Sequence, residues 1–194
     1  MDCKRLLFLC GVIFLFIHPC LGQSPAAAVS EELRLMVEED QRMRQAADAD
    51  PQLEYDADKR HRARLLEWLA DGRIVRPEDK CRAALLLQHT PAIFCDGKLK
   101  SESLENYLLA HFLARSAALA GYRPARRMAA LAVDRYLVFS GKPQKYDTQY
   151  RLDERTGNEV LLEIDPATTD AERAEWGVEP LAVLRGKNAG VAER

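Results

Sequence analysis

ESLENYLLAHFLARSAALAGYRPARRMAALAVDRYLVFSGKP, residues 102–143, is the stretch that decides the fold. It holds two apolar-rich runs of helical length, each closed by a glycine and then a proline: Gly121 with Pro124, and Gly141 with Pro143. Glycine takes the left-handed conformation that ends a helix, and a proline shortly after it prevents the helix from resuming. The punctuation predicts helices over 102–120 and 125–140. Their small residues, among them Ala110, Ala114, Ala117, Ala129, Ala130 and Ala132, allow two helices to approach closely.

Working upstream, Pro77 suits the first position of a helix over 78–89, and Pro91 stops it. Its centre, Ala83-Ala84-Leu85-Leu86-Leu87, is apolar all round, which predicts a central helix. Leu65, Trp68 and Leu69 give the face of a helix over 53–71 that ends at Gly72. Ser30 caps a first helix over 30–47, with Glu31 and Glu32 in the turn where the dipole favours negative charge. Residues 23–29 read as a flexible leader, and 96–101 as a polar loop. Downstream the period changes. Residues 148–152 and 159–164 flank a turn containing Thr156-Gly157-Asn158, a β-hairpin pattern. A short helix over 170–176 ends at Gly177, a last turn covers 180–184, and 186–194 forms a disordered tail. The expectation is a mainly α, single-domain helical bundle over 30–185, of about five helices with a C-terminal β-hairpin and short closing helices.

The N-terminus reads as a targeting segment. Lys4 and Arg5 precede an apolar run of 12 residues from Leu6 to Ile17, broken by His18-Pro19 and followed by Cys20-Leu21-Gly22. The run is too short to span a bilayer, which needs about 20 apolar residues. Cleavage after Gly22 gives a signal peptide over 1–22; a retained anchor, or one lipidated at Cys20, is the alternative. The expected location is periplasmic or secreted, with no stable membrane insertion after cleavage. Cleavage leaves 172 of 194 residues, enough for one cored domain, with 26 basic against 29 acidic side chains. With no basic excess to hold a polyanion, nucleic-acid binding is not expected. Of five cysteines the mature chain keeps Cys81 and Cys95. In an oxidising compartment they predict a disulfide closing a loop of 15 residues, worth about 3 kcal/mol in the chain-entropy model; two buried thiols are the other reading.

Polar side chains interrupt the apolar stripes of four helices. The first-helix stripe runs Leu33, Val37, Asp40, Arg44, where Asp40 and Arg44 are spaced to pair. The third continues Cys81, Ala84, Leu85 into Gln88, with His89 beside it. The fourth passes from Leu104 and Leu108 to His111, and on the fifth Leu131 and Val138 bracket Asp134, with Arg135 next. His61 is assigned to the surface. Burying such groups without partners costs several kcal/mol, so they must meet one another, water or a ligand. The loop after Gly141 carries Gln144, Tyr146, Thr148 and Gln149, which suit that purpose, and a single shared pocket at one end of the bundle is expected. The purely structural alternative is a set of interhelical bridges, with His89 serving only as a helix cap.

The order Gln88-His89, Asp134-Arg135, then Gly141-x-x-Gln144-x-Tyr146-x-Thr148-Gln149 resembles a bacterial family, domain of unknown function 6624, whose signature is a QH pair, a DR pair and G-x-x-Q-x-YGTQ. The likeness extends to Asp40-Gln41-x-x-Arg44 upstream and to Asp165-Pro166, Arg173, Gly177 and Pro180-Leu181 downstream, covering about 33–185. Asp147 stands where the family has glycine. If that glycine serves a positive φ, aspartate tolerates it at modest cost; if it admits a ligand to the backbone, Asp147 narrows the site. The resemblance implies a shared, mainly helical fold and a common polar site, and no reaction.

Three functions fit these residues. The first is a binding module for a small polar molecule or a cell-envelope peptide or glycan, with Gln88, Gln144 and Gln149 reading amides, Arg44 or Arg135 clamping an anion, and Asp40, Tyr146 and Thr148 completing the site. The second is a hydrolase-type enzyme with His89 or His111 as general base oriented by Asp134. The third is a helical interaction scaffold. The sequence contains no H-E-x-x-H, G-x-S-x-G, phosphate loop or dinucleotide turn, so no cofactor or metal is assigned.

Overall fold

The computed structural model describes residues 25–189 apart from 96, 97, 154, 156 and 158. The signal-peptide assignment and the last five residues of the tail lie outside them. The chain is mainly helical. Its elements run α1 (Pro25–Gln45), α2 (Pro51–Ala70), α3 (Pro77–Gln88), β1 (Ala92–Cys95), β2 (Lys98–Ser101), α4 (Leu104–Leu119), α5 (Ala125–Phe139), β3 (Tyr150–Leu152), β4 (Glu159–Leu161), α6 (Asp170–Glu175) and α7 (Leu181–Ala189).

The expected α4–α5 hairpin is present, and its ends are built as the glycines require. Gly121 has φ 93° and Gly141 φ 71°. Behind each, two backbone bonds close the helix: Gly121 N–H to Ala118 O and Tyr122 N–H to Ala117 O, and likewise Gly141 to Val138 and Lys142 to Leu137. These are Schellman closures, which need the left-handed residue. Ala110, Ala114 and Ala117 of α4 and Ala125, Ala129 and Ala132 of α5 are fully buried. The central α3 packs on α4, and α1 packs on α3 and α2. Between them lies one apolar cluster that includes Val29, Leu33, Leu65, Trp68, Leu87 and the alanine stripe. Ala130, Tyr146, Val178 and Leu184 form a smaller cluster near the C-terminus.

Several expectations change. The flexible leader gives way to helix from Pro25, because Val29 continues the Leu33–Met36 stripe into the core and is buried with it. Ser30 accordingly sits inside α1 and donates a hydrogen bond to Asp79 of α3 instead of capping. The polar loop expected over 96–101 gives way in part to strand β2, which pairs antiparallel with β1, Ala92 opposite Ser101 and Ile93 opposite Lys100. The C-terminal hairpin pairs only Tyr150–Leu152 with Glu159–Leu161. Its outer residues are partly drawn off: Ile164 bridges to Gln144, the Thr148 hydroxyl goes to Asp134 and Gln149 N–H to the Gln144 side chain, while the Gln149 carbonyl still accepts from Leu162 N–H. Residues 186–189 are helical, where a tail was expected. Cys81 is a free thiol packed against the main cluster, and burial raises its pKa; the side chain of Cys95, its expected partner, lies outside the described ones. Among the described residues no helix is long and apolar enough to cross a membrane.

Candidate functional site

The DR pair shows how the site is assembled. Asp134 and Arg135 are neighbours on α5, about 100° apart around the helix axis, so each faces a different way. Asp134 is fully buried and holds the loop after Gly141. It accepts from the backbone N–H of Lys145 at 2.7 Å, Tyr146 at 3.0 Å and Thr148 at 3.1 Å, and from the Thr148 hydroxyl at 2.8 Å. Burial pushes its pKa above the ordinary aspartate value, although every one of these donors pulls it down. Gln144, fully buried, finishes the loop. Its amide donates to the Gln149 carbonyl at 2.9 Å and the Leu162 carbonyl at 3.1 Å, and its Oε1 accepts from Gln149 N at 2.8 Å.

Fixed in this way, Gln149 turns its side chain to Arg135. Its Nε2 donates to the Thr148 carbonyl, and its Oε1 accepts from Arg135 Nε at 3.3 Å. Arg135 Nη1 donates to the Gln88 carbonyl at 2.6 Å, and the guanidinium lies 5.9 Å from the Tyr107 ring centroid. Burial lowers its pKa from the usual arginine value. Among the described residues it has no carboxylate partner.

On the other side of the cleft, Arg44 is the centre of an acidic group. Its Nε donates to Asp40 at 3.1 Å, its Nη1 to Glu54 at 3.3 Å and its Nη2 to Asp58. Asp40, fully buried, also takes His89 Nδ1 at 2.8 Å and Gln41 Nε2 at 2.7 Å. Burial alone would raise the Asp40 pKa, but the bond and charge of His89, with Gln41 and Arg44, hold it below the usual range. Arg44, Asp58, Gln88, His89, Arg135 and Gln149 together line a cleft of about 440 Å³, with Pro91, Tyr107 and Phe139 as its apolar wall. The His89 side chain is 18% exposed.

The structure therefore brings Arg44, Gln88, His89, Arg135 and Gln149 to one cleft, with Asp40 directly behind His89. It does not bring the others there. Asp134, Gln144 and Thr148 act one step back, through the loop. Tyr146 points away, donating to Glu172 Oε1 at 3.0 Å, and burial with that acceptor raises its pKa. His111 bonds the Ala129 carbonyl through Nδ1 at 2.9 Å, burial lowers its pKa, and it does not line the cleft. Neither histidine meets Asp134; the aspartate that orients one is Asp40. His61 is buried against Glu39, not on the surface.

Asp58 was missed by sequence reasoning. A signal was present: counting back along α2 from Trp68 and Leu65 leads to His61 and Asp58 on the same face, and all four are buried. Asp147 takes the first of the two roles weighed for its position. Its φ is 59°, so the position needs the left-handed conformation. Its side chain is turned inward to accept from Arg173 Nε at 3.1 Å, and it does not line the cleft.

A mainly helical domain carrying a two-arginine, one-histidine cleft is what fold and site define. Comparison of the chain with family models, with curated proteins and with solved structures returned no significant match.

Proposed function

We propose that the protein is a binding module whose cleft takes a small polar ligand through an anionic group. The observation that carries this is Arg135. Its side chain is half-buried, yet among the described residues it is met by a carbonyl, an amide oxygen and a ring face and by no carboxylate. Arg44 is different, with three carboxylates around it. A desolvated guanidinium facing a cleft is completed by a carboxylate or phosphate, which can accept two of its N–H groups at once. Gln149, Gln88 and the apolar wall would fix the remainder of the ligand. The N-terminal pattern supports export, which makes envelope fragments and small acids of that compartment the natural panel. The likeness to domain of unknown function 6624 is consistent, because its QH and DR pairs and Gln144, Thr148 and Gln149 either line this cleft or hold the loop that does.

Thermal melts with succinate, citrate, inorganic phosphate and uronic acids, against neutral sugars and amides, test the proposal. A ligand present at a hundred times its Kd stabilises by about 2.7 kcal/mol, and that gain should vanish in Arg135→Gln. Equal shifts from neutral and anionic compounds, or an unchanged response in Arg135→Gln, would sink it.

A further inference from the structure

His89 is more than the end of a helix. It is the C-cap of α3, but the last carbonyls of the helix are served by other side chains: Arg135 Nη1 on the Gln88 carbonyl at 2.6 Å and the Thr90 hydroxyl on the Leu87 carbonyl at 2.8 Å. The His89 ring instead reaches across to α1 and gives Nδ1 to Asp40. An ionised carboxylate only accepts, so Nδ1 carries a proton, and in the uncharged form of the ring the lone pair is at Nε2. Among the described residues Nε2 has no hydrogen-bond partner, and the ring lines the cleft. The other two histidines of the described region are placed differently. His111 spends Nδ1 on a backbone carbonyl away from the cleft, and His61 has Nδ1 sealed from solvent. Asp40 is itself held by Arg44 and Gln41, so the ring has a fixed support. Arg135 grips the carbonyl one peptide bond before His89, which sets the anion site beside the imidazole.

We infer that the cleft is a hydrolytic acid–base site in which His89 Nε2 moves the proton, Asp40 positions the ring, and Arg135 holds the carboxylate or phosphate arm of a small ester. This rests on the anion-binding reading above. In the step, Nε2 takes a proton from a water molecule as the water oxygen bonds to the ester carbonyl carbon. The carbon–oxygen bond to the alcohol then breaks, and the imidazolium returns its proton to the departing oxygen. Ester and water become acid and alcohol, and no oxidant or further reactant is needed. General acid–base assistance of this kind contributes about 10²- to 10⁴-fold.

The test uses mono-4-nitrophenyl succinate, an ester with a carboxylate arm, against neutral 4-nitrophenyl acetate. Wild type is expected to prefer the anionic ester. His89→Gln should lose at least about 100-fold in kcat with KM little changed, and Arg135→Gln should raise KM for the anionic ester alone. Long-range proton–nitrogen NMR should find neutral wild-type His89 protonated at Nδ1. Asp40→Asn should shift that tautomer toward Nε2 and lower kcat. The wild-type spectrum needs no variant, so it stands even if Asp40→Asn folds poorly. A neutral His89 protonated at Nε2, or no His89-dependent turnover while succinate and phosphate still raise Tm through Arg135, overturns the hydrolytic inference and leaves binding intact. Loss of the Arg135-dependent Tm response overturns both.

Discussion

Asp147 shows how much one residue can carry. It occupies a left-handed φ and also supplies the carboxylate for Arg173, whose side chain is 2% exposed. Removing one member of a buried pair costs about 3–5 kcal/mol where it leaves the other unpaired, and Arg173 keeps a second carboxylate, Asp170, at 3.3 Å. Asp147→Ala should therefore lower the unfolding free energy, read from urea titrations, by an amount at the low end of that range. Asp147→Gly should lose about 1 kcal/mol less, because glycine relieves the backbone; an Ala variant as stable as wild type would contradict the assignment. Asp40 gives a pH signature. Its folded pKa is depressed, so the stability it contributes is present above its unfolded value, about 4, and is lost as pH falls through the folded one. The stability gap between wild type and Asp40→Asn should be present at neutral pH and shrink below about pH 4; urea titrations from pH 3 to 7 that show the gap widening on acidification would refute it. At this scale the sequence was legible where a residue's own chemistry decides. The i,i+4 spacing of Asp40 and Arg44 and the tolerance of aspartate for positive φ were readable. The choice of Asp40 over Asp134 as partner of His89 was not, because it depends on where α1 lies against α3.

Between elements, the loop after Gly141 is held by α5 as well as by the end of its own hairpin. Three backbone N–H groups and a hydroxyl converge on Asp134. Leaving buried donors unmet costs about 1–3 kcal/mol each. Asp134→Ala is thus expected to cost at least about 3 kcal/mol in urea and, by freeing Gln149, to weaken anion binding even at temperatures where the variant remains folded. Full binding in a destabilised Asp134→Ala would show that the loop does not shape the cleft. Helix ends were readable here because capping is local: Gly121 and Gly141 needed no partner helix to be interpreted. The β1–β2 ladder was not readable, since Ala92–Cys95 is a short apolar run whose pairing with Lys98–Ser101 answers to tertiary packing.

Over the whole molecule, α1, α3, α4 and α5 share one apolar cluster, and Trp176 touches both it and the smaller C-terminal cluster. That continuity predicts a single cooperative transition, with tryptophan emission and helical circular dichroism giving one urea midpoint; an earlier change in emission alone would mean that the C-terminal cluster opens separately. The same continuity explains why α1 begins at Pro25, since Val29 is pulled into helix by a core that lies far along the chain. By itself the sequence determined the mainly helical class, the helix ends and the inventory of polar side chains on apolar stripes, because propensity, capping and periodicity act over a few residues. Only the tertiary structure decided which of those side chains share a cleft. Arg44, His89, Arg135 and Gln149 come from four separate segments, and their meeting depends on the relative rotation of packed helices, which no local pattern encodes.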